Sequence, residues 1–410
     1  MNDLLHFLTE RGHSPECTDA EGLNRELKKG IVTGYIGFDP TADSLHIGNM
    51  AQLMLLRRLQ MAGHKPLVLM GGATGKVGDP SGRDESRQLM TFETIKDNIE
   101  SQKRGISRLI RFDDSTTGAK LLNNADWLDG IGYIDMLREV GPHFTINRMM
   151  AMDSVKLRLE REQPLTFLEF NYMIMQGYDF MYLRKNHNCV LQMGGSDQWG
   201  NIIQGIELGR RMHGFELYGI TQPLLTTASG AKMGKSVGGA VWINADRKSP
   251  YDFWQYWRNA EDGDVGRWLR LFTDLPLDEV KRLEALKDRE INDAKKILAT
   301  EVTALVHGRD VAEDAAKTAQ ATFEQGALGA DLRVIPFQRS TSVSVADAVV
   351  SAGFASSKSE AKKLVLGGGI RINDEKATDP THSFFQYVPD GASEVKFSKG
   401  QKVIVKVTVA

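Results

Sequence analysis

The sequence predicts an α/β fold in its first half, an α-helical stretch after it, and a small α+β unit at its end. The first observation is a strand–helix–strand succession. Residues 31–38 are strand-like, residues 50–61 carry apolar side chains at helical spacing, and residues 66–70 (PLVLM) read as a short buried strand. The second is a change of pattern after Pro250, where helical periodicity takes over. The third is the alternation of Val403, Val405, Val407 and Val409, which marks a strand in a separate terminal unit.

Taken in order, residues 91–109, 134–140 and 149–161 are expected as helices, and 190–193 as a strand running into Gly194-Gly195. Past Pro250, helices are expected at 251–258, 278–286, 291–306 and 311–323. Asp310 followed by Glu313 reads as a capping box for the last of them. Residues 326–344 read as a linker, from their Gly, Ser and Pro content. Ser357 with Glu360 opens a helix that runs to Leu366 and stops at Gly367-Gly368-Gly369. Lys358, Lys362 and Lys363 give that helix a basic surface, while Ala361, Leu364 and Val365 suit a core. Strands are expected at 370–373 and 402–409. The resulting division is 1–245, 246–325, a linker at 326–342, and 343–410.

Composition narrows the function less than it narrows the class. The chain of 410 residues has 51 basic and 53 acidic side chains, so net charge does not announce a nucleic-acid partner. The stretch from Ser340 onward carries nine basic against seven acidic residues, a slight excess of the sign an RNA contact needs. Cys17 and Cys189 are the only cysteines and stand far apart, which excludes a disulfide framework or a cysteine-rich zinc site. No apolar run approaches the roughly 20 residues that span a bilayer. With Asp3 and Glu10 early and no signal-peptide pattern, a soluble protein of a reducing compartment, the cytoplasm, is expected.

Two short segments carry the chemistry. Phe38-Asp39-Pro40-Thr41-Ala42-Asp43-Ser44-Leu45-His46-Ile47-Gly48-Asn49 joins a strand to a helix, which aims backbone N–H groups and the positive end of the helix dipole at whatever lies above the turn. Gly48 is expected to admit a close approach to the backbone, and Thr41 and His46 can donate to phosphate oxygens. Lys232-Met233-Gly234-Lys235-Ser236, flanked by Gly230 and Gly238-Gly239, puts two ammonium groups on a short loop that can neutralise polyphosphate charge. Taken singly, His46 is more simply a helix cap and the lysines an ordinary basic turn. Their joint occurrence points to a nucleoside triphosphate. A Walker loop is excluded, because only three residues separate Gly71 from Gly75 and Val77 stands where Ser or Thr should bind magnesium. A hydrolase elbow at Gly194-Gly195-Ser196-Asp197-Gln198 fails, since Gln198 occupies the second glycine position.

The pair HIGN and KMGKS resembles the HIGH and KMSKS signatures of class I aminoacyl-tRNA synthetases. Tyr35-Ile36-Gly37-Phe38-Asp39-Pro40-Thr41, Gly71-Gly72-Ala73-Thr74-Gly75, Gly78-Asp79-Pro80-Ser81-Gly82 and Gly194-Gly195-Ser196-Asp197-Gln198-Trp199-Gly200-Asn201 resemble the bacterial tyrosyl branch over nearly the whole chain. Asn49 replaces the second histidine and Gly234 a serine, and neither change removes a charged group.

The resemblance implies a Rossmann-like catalytic domain with a dimerisation insertion, an α-helical anticodon-side domain, and a small RNA-binding domain. It implies Thr41, His46, Lys232 and Lys235 as catalytic residues. Asp39, Gly48, Asn49, Asp197, Lys235 and Ser236 would face ATP, with Arg83 and Arg87 on the pyrophosphate. By residue type and spacing alone, Tyr172, Gln176 and Asp179 form the polar stripe of a partly buried helix. The resemblance makes them a tyrosine pocket, in which Asp79, Tyr172 and Gln176 grip the ammonium, Tyr35 and Asp179 hold the phenol, and Gln198 faces the amino acid. Lys358, Lys362, Lys363 and Arg371 would contact RNA. The implied substrates are L-tyrosine, ATP with Mg²⁺ and tyrosine tRNA, with a homodimer as the assembly, no membrane partner and no permanently bound cofactor. A tryptophan ligase and a non-catalytic RNA-binding relative are the alternatives. The Tyr35–Asp179 pair argues against the first, and the complete set of ATP-side residues against the second.

Overall fold

The computed structural model describes residues 4–81, 90–230, 233, 235–236, 239–324, 332–339, 342–400 and 403–409. The chain forms two compact units. The first comprises Met1–Lys235, Ala240–Arg247 and Glu261–Lys287, and the second Ser236–Gly239, Lys248–Ala260 and Asp288–Ala410.

The first unit is built on six strands: β1 (Glu16–Cys17), β2 (Thr33–Phe38), β3 (Lys65–Met70), β4 (Lys120–Asn123), β5 (Cys189–Gly195) and β6 (Tyr218–Gln222). Their order is β1-β6-β5-β2-β3-β4, parallel throughout except for β1. Strands β3, β5 and β6 are buried almost without interruption, the pattern of a sheet covered on both faces. From β2 the chain passes through the helix Ile47–Met61 to β3, and then through Phe92–Leu109 to β4. It returns to the other side of β2 as β5, after a long helical insertion ending in the helix Tyr172–His187. The order therefore reverses between β2 and β5. The crevice beyond their carboxyl ends, at Phe38 and Gly195, is where an open sheet of this kind binds its ligand.

Several elements depart from their expected form. The helix expected at 134–140 is a short α-turn, Tyr133–Asp135, continued by a π-helical segment, Met136–Val140. The helix expected at 149–161 is two, Ile146–Met150 and Asp153–Glu160. Met152 between them is extended (φ −71°, ψ 139°), and its side chain is buried with Met149, Val155 and Met173. Tertiary burial of a methionine has overridden helical periodicity there.

In the second unit the helices Pro250–Arg258, Ile291–His307 and Arg309–Glu324 share a core that includes Phe253, Trp257, Leu298 and Val302. The Trp254 indole donates to Thr300 Oγ1 at 3.0 Å. The last helix begins at Arg309, so Asp310 lies in its first turn and does not cap it. The terminal module is a five-stranded sheet, in the order Glu375–Lys376, Ile370–Ile372, Glu394–Lys399, Val403–Val409 and Val334–Phe337. Two helices, Val345–Ser351 and Lys358–Leu366, close a core around Val349, Ala361, Phe384 and Phe397. Residues 334–337, expected within a linker, are thus a strand paired in parallel with Val403–Val409. Ser357 caps its helix as expected, but the Glu360 carboxylate turns to Ser356 instead of completing a box.

Candidate active site

A cavity of about 480 Å³ opens at the β2/β5 switch point. Among its walls are Tyr35, Asp39, Thr41, His46, Gly48, Asn49, Asp79, Tyr172, Gln176, Asp179, Asp197 and Gln198, which come from four widely separated stretches of sequence. Arg83, Arg87 and Lys232 lie outside the described residues. Lys235 and Ser236 form a two-residue strand. Met233, in the middle of the KMGKS segment, is buried and also lines the cavity.

His46 is the N-cap of the helix Ile47–Met61, and its cap is reciprocal. Asn49 N–H donates to His46 Nδ1 at 3.3 Å, and His46 N–H donates to Asn49 Oδ1 at 3.2 Å. With Nδ1 accepting, the neutral ring carries its proton on Nε2. Asn49, the departure from the usual second histidine, therefore orients the first. A Cβ at Gly48 would stand 2.8 Å from the His46 ring, so this glycine makes room for the imidazole before it makes room for any ligand. Gly37 is the position open to a ligand, since it lines the cavity from within β2 and a Cβ there would meet no protein atom within 4 Å.

The stretch that follows the lysine loop is joined by backbone hydrogen bonds to the HIGN segment, some 190 positions before it in the chain. Just after the lysine loop, Val241 O accepts from Ile47 N–H at 3.0 Å, and Ile243 N–H donates to Leu45 O at 2.9 Å. Trp242 bridges to His46 between them, with ring centroids 6.3 Å apart. Asn244 N–H donates to Ser44 Oγ at 3.1 Å, continuing the same ladder.

Polar side chains elsewhere on the wall form two networks. In one, the fully buried Asp179 accepts from Asn124 Nδ2 at 2.9 Å and from Trp127 Nε1 at 2.8 Å. The Asn124 amide also reaches Thr74 Oγ1, which donates to Asp39 Oδ1, while the Tyr172 hydroxyl donates to Asp39 Oδ2 at 3.0 Å. Burial pushes the Asp179 carboxyl up to about 7. Its two donors oppose that shift and the Asp39 charge adds to it. The Tyr35 phenol is raised well above its usual 10 by burial, and the Asp179 charge raises it further. Among the described residues, the buried Tyr35 Oη has no hydrogen-bond partner.

In the second network Asp79 Oδ1 accepts from Ser81 N–H at 2.9 Å, and Oδ2 accepts from Gln198 Nε2 at 2.8 Å. Gln198 Oε1 accepts in turn from Gln176 and Asn201, each at 3.3 Å. Tyr172 bonds to Asp39 in the first network, while Asp79 and Gln176 meet at Gln198 in the second. Asn124 and Trp127 carry no motif of their own in the sequence, although both hold Asp179; Thr74 and Asn201 fall inside two of the resembling segments, where the resemblance gives them no role.

In the terminal module, Lys362 and Lys363 are exposed on their helix. Lys358 pairs with Asp347 at 2.6 Å, and Arg371 donates to the Asp374 carbonyl at 2.9 Å.

The doubly wound sheet, with the HIGN-capped helix and Met233 of the KMGKS segment lining the cavity at its switch point, agrees with the class I resemblance of the two motifs. A family model described as class I tRNA synthetases (W and Y) matches residues 28–324, and one for the S4 domain matches 346–382. The tyrosine–tRNA ligase of Xanthobacter autotrophicus is 55% identical, covering 99% of this chain and 98% of that protein. The tyrosine–tRNA ligase of Novosphingobium aromaticivorans is 57% identical, covering 98% and 97%. Among solved structures, a C-terminally truncated mitochondrial tyrosyl-tRNA synthetase from Aspergillus nidulans superposes with a TM-score of 0.71 at 30% identity, covering 79% of this chain and 95% of that one. The chain belongs to the class I tRNA synthetases, in their tyrosine–tRNA ligase family.

Proposed function

We propose that this chain activates L-tyrosine with ATP and passes the tyrosyl group to the 3′ end of tyrosine tRNA. The tyrosine carboxylate attacks the α-phosphorus of ATP, pyrophosphate leaves, and the adenylate then esterifies the tRNA. The reacting carboxylate belongs to the substrate, so no protein nucleophile is required. Catalysis is positioning together with stabilisation of charge that appears in the transition state.

The observation that carries this reading is the ladder joining residues 44–47 to 241–244 beside a cavity whose other wall is lined by buried Tyr35 and Asp179. Thr41 and the His46 Nε2–H face the phosphates, and Lys232 and Lys235 neutralise the leaving pyrophosphate with Arg83 and Arg87. Asp39, Gly48, Asn49, Asp197 and Ser236 serve ATP, and Mg²⁺ accompanies the triphosphate as part of the substrate. Asp79, Tyr172, Gln176 and Gln198 bind the amino-acid end, while Tyr35 and Asp179 take the phenol. Phenylalanine would bring no hydroxyl to the buried Tyr35 Oη or to Asp179, and indole has none to offer either.

Lys358, Lys362, Lys363 and Arg371 contact tRNA from the terminal module, and the helical part contacts its anticodon side. The enzyme works in the cytoplasm as a homodimer. Tyr133, Ile134, Ile146 and Phe167, all in the insertion between β4 and β5, are each more than 60% exposed, an apolar surface suited to a second copy. Analytical ultracentrifugation of Phe167→Glu against the wild type tests this, and two monomeric samples would sink it.

The function itself is tested by amino-acid-dependent ATP–pyrophosphate exchange with each standard amino acid. Exchange with tyrosine alone is expected. Exchange with tryptophan, or with none, overturns the reading.

A further inference from the structure

We propose that Asn98, Gln102 and Asn244 are positioning residues that clamp the Thr41 loop for the adenylation step. Residues 40–44 have no strand or helix ladder, so their carbonyls must find partners elsewhere. Three buried carboxamides provide them. Asn98 Nδ2 donates to Pro40 O at 2.8 Å, Gln102 Nε2 to Ala42 O at 2.8 Å, and Asn244 Nδ2 to Asp43 O at 3.3 Å. Asn98 and Gln102 lie one turn apart on the helix Phe92–Leu109, so one helix face grips the loop on both sides of Thr41. Asn244 grips it from the segment that follows the lysine loop, and it also donates to Ser101 O of that same helix at 3.2 Å. All three side chains are at least nine-tenths buried, whereas Thr41 is exposed on the cavity wall. The clamp thus fixes the backbone on either side of Thr41 and touches none of the groups assigned to tyrosine.

The inference rests on the proposed function, because a clamp on Thr41 matters where a phosphate is to be met. A displaced donor weakens the transition state much more than the ground state, so the rate should suffer and tyrosine affinity should not. Gln102→Met keeps the volume and removes the donor. Pre-steady-state adenylate formation by Gln102→Met should slow by about 10- to 100-fold, with equilibrium tyrosine binding, read without ATP, within about twofold of wild type. Gln102→Glu gives a second readout. Its carboxylate cannot donate to Ala42 O, but the protonated acid can, and burial raises its pKa. The rate of Gln102→Glu relative to wild type should therefore rise as pH falls from 8 to 6, a recovery that a merely structural role would not produce.

Adenylation by Gln102→Met within twofold of wild type, a proportionate loss of tyrosine binding, or a flat Gln102→Glu ratio overturns the clamp. A wild-type chain without tyrosine-dependent exchange overturns the functional reading, and the clamp with it.

Discussion

Asp179 is held by two neutral donors and faces a cavity that must supply the rest of its environment. Replacing it with Ala orphans Trp127 Nε1, at about 1–3 kcal/mol, and leaves Asn124 Nδ2 with its Thr74 bond alone, but it also removes a carboxylate whose burial is itself unfavourable. These effects oppose one another in the empty protein. The lost hydrogen bond between the phenol and the charged carboxylate has no such offset, and at about 1.5–3 kcal/mol it reaches about 100-fold. Asp179→Ala should therefore cut kcat/KM for tyrosine by about 10- to 100-fold, with a much smaller change in the urea midpoint. Unaltered tyrosine activation would remove Asp179 from the pocket. Lys235→Ala should act on rate alone, slowing adenylation while equilibrium tyrosine affinity holds, because its ammonium meets charge that appears in the transition state. Weaker tyrosine binding as the sole effect would contradict that role.

The helix Ile47–Met61 carries His46 at one end and a buried cation at the other. Arg58 is wholly buried, donates to Asp274 Oδ1 at 2.5 Å, and closes the carbonyl end of the helix Val265–Phe272 through Thr273 O at 2.6 Å. Burial lowers the Arg58 pKa to about 10 against the pull of Asp274. Burial also works against charge on the Asp274 carboxyl, but Arg57 and Arg58 together hold it below its usual range. Breaking a buried pair from one side costs about 3–5 kcal/mol. Since Asp274 keeps Arg57 and some exposure, Arg58→Met should cost about 3 kcal/mol at most, at the lower end of that range. Urea unfolding followed by tryptophan fluorescence measures it, and a loss below about 1 kcal/mol would mean that Arg58 contributes packing more than charge.

Across the whole molecule, two buried titrating groups tilt stability in opposite directions. Asp179 rises from 3.8 to about 7 on folding, so its contribution is complete below about 4 and lost as pH climbs through 7. His13, whose Nδ1–H donates to Gln222 Oε1, falls from 6.5 to about 4 through burial. Its contribution is complete above 6.5 and lost as pH drops through 4. Relative to wild type, Asp179→Asn should gain stability and His13→Leu should lose it as pH rises from 4.5 to 6.5. Urea midpoints across that range test both signs, and parallel curves for all three proteins would refute them. The terminal module supplies a second test at this scale. Removing residues 332–410 takes out Val334–Phe337 together with its partner strand, so no half-sheet is left behind. Such a chain should still make adenylate but charge tRNA at least about tenfold more slowly, with a flatter salt dependence. Full charging with an unchanged salt slope would end the case for RNA contact by this module.

The elements that carry the motifs were legible because their signals are local. A buried apolar run ends at Phe38, a histidine precedes the next helix, and glycines flank paired lysines. The strand–helix–strand order was enough to predict a parallel sheet, and hence a binding crevice beyond its carboxyl ends. Only the tertiary structure decided who holds whom. Nothing near Asn124 or Trp127 in the sequence marks them as partners of Asp179, because a lone amide or indole has no periodicity and its hydrogen bond spans more than fifty positions. The same holds for Asn98, Gln102 and Asn244, which meet the Thr41 loop through the packing of distant elements. Burial of Met152 broke a helix that periodicity favoured, and pairing with Val403–Val409 made a strand of residues 334–337, where composition suggested a linker. Local propensities amount to tenths of a kcal/mol per residue, whereas burial and buried hydrogen bonds reach one or more. Where the two disagreed, the long-range term won.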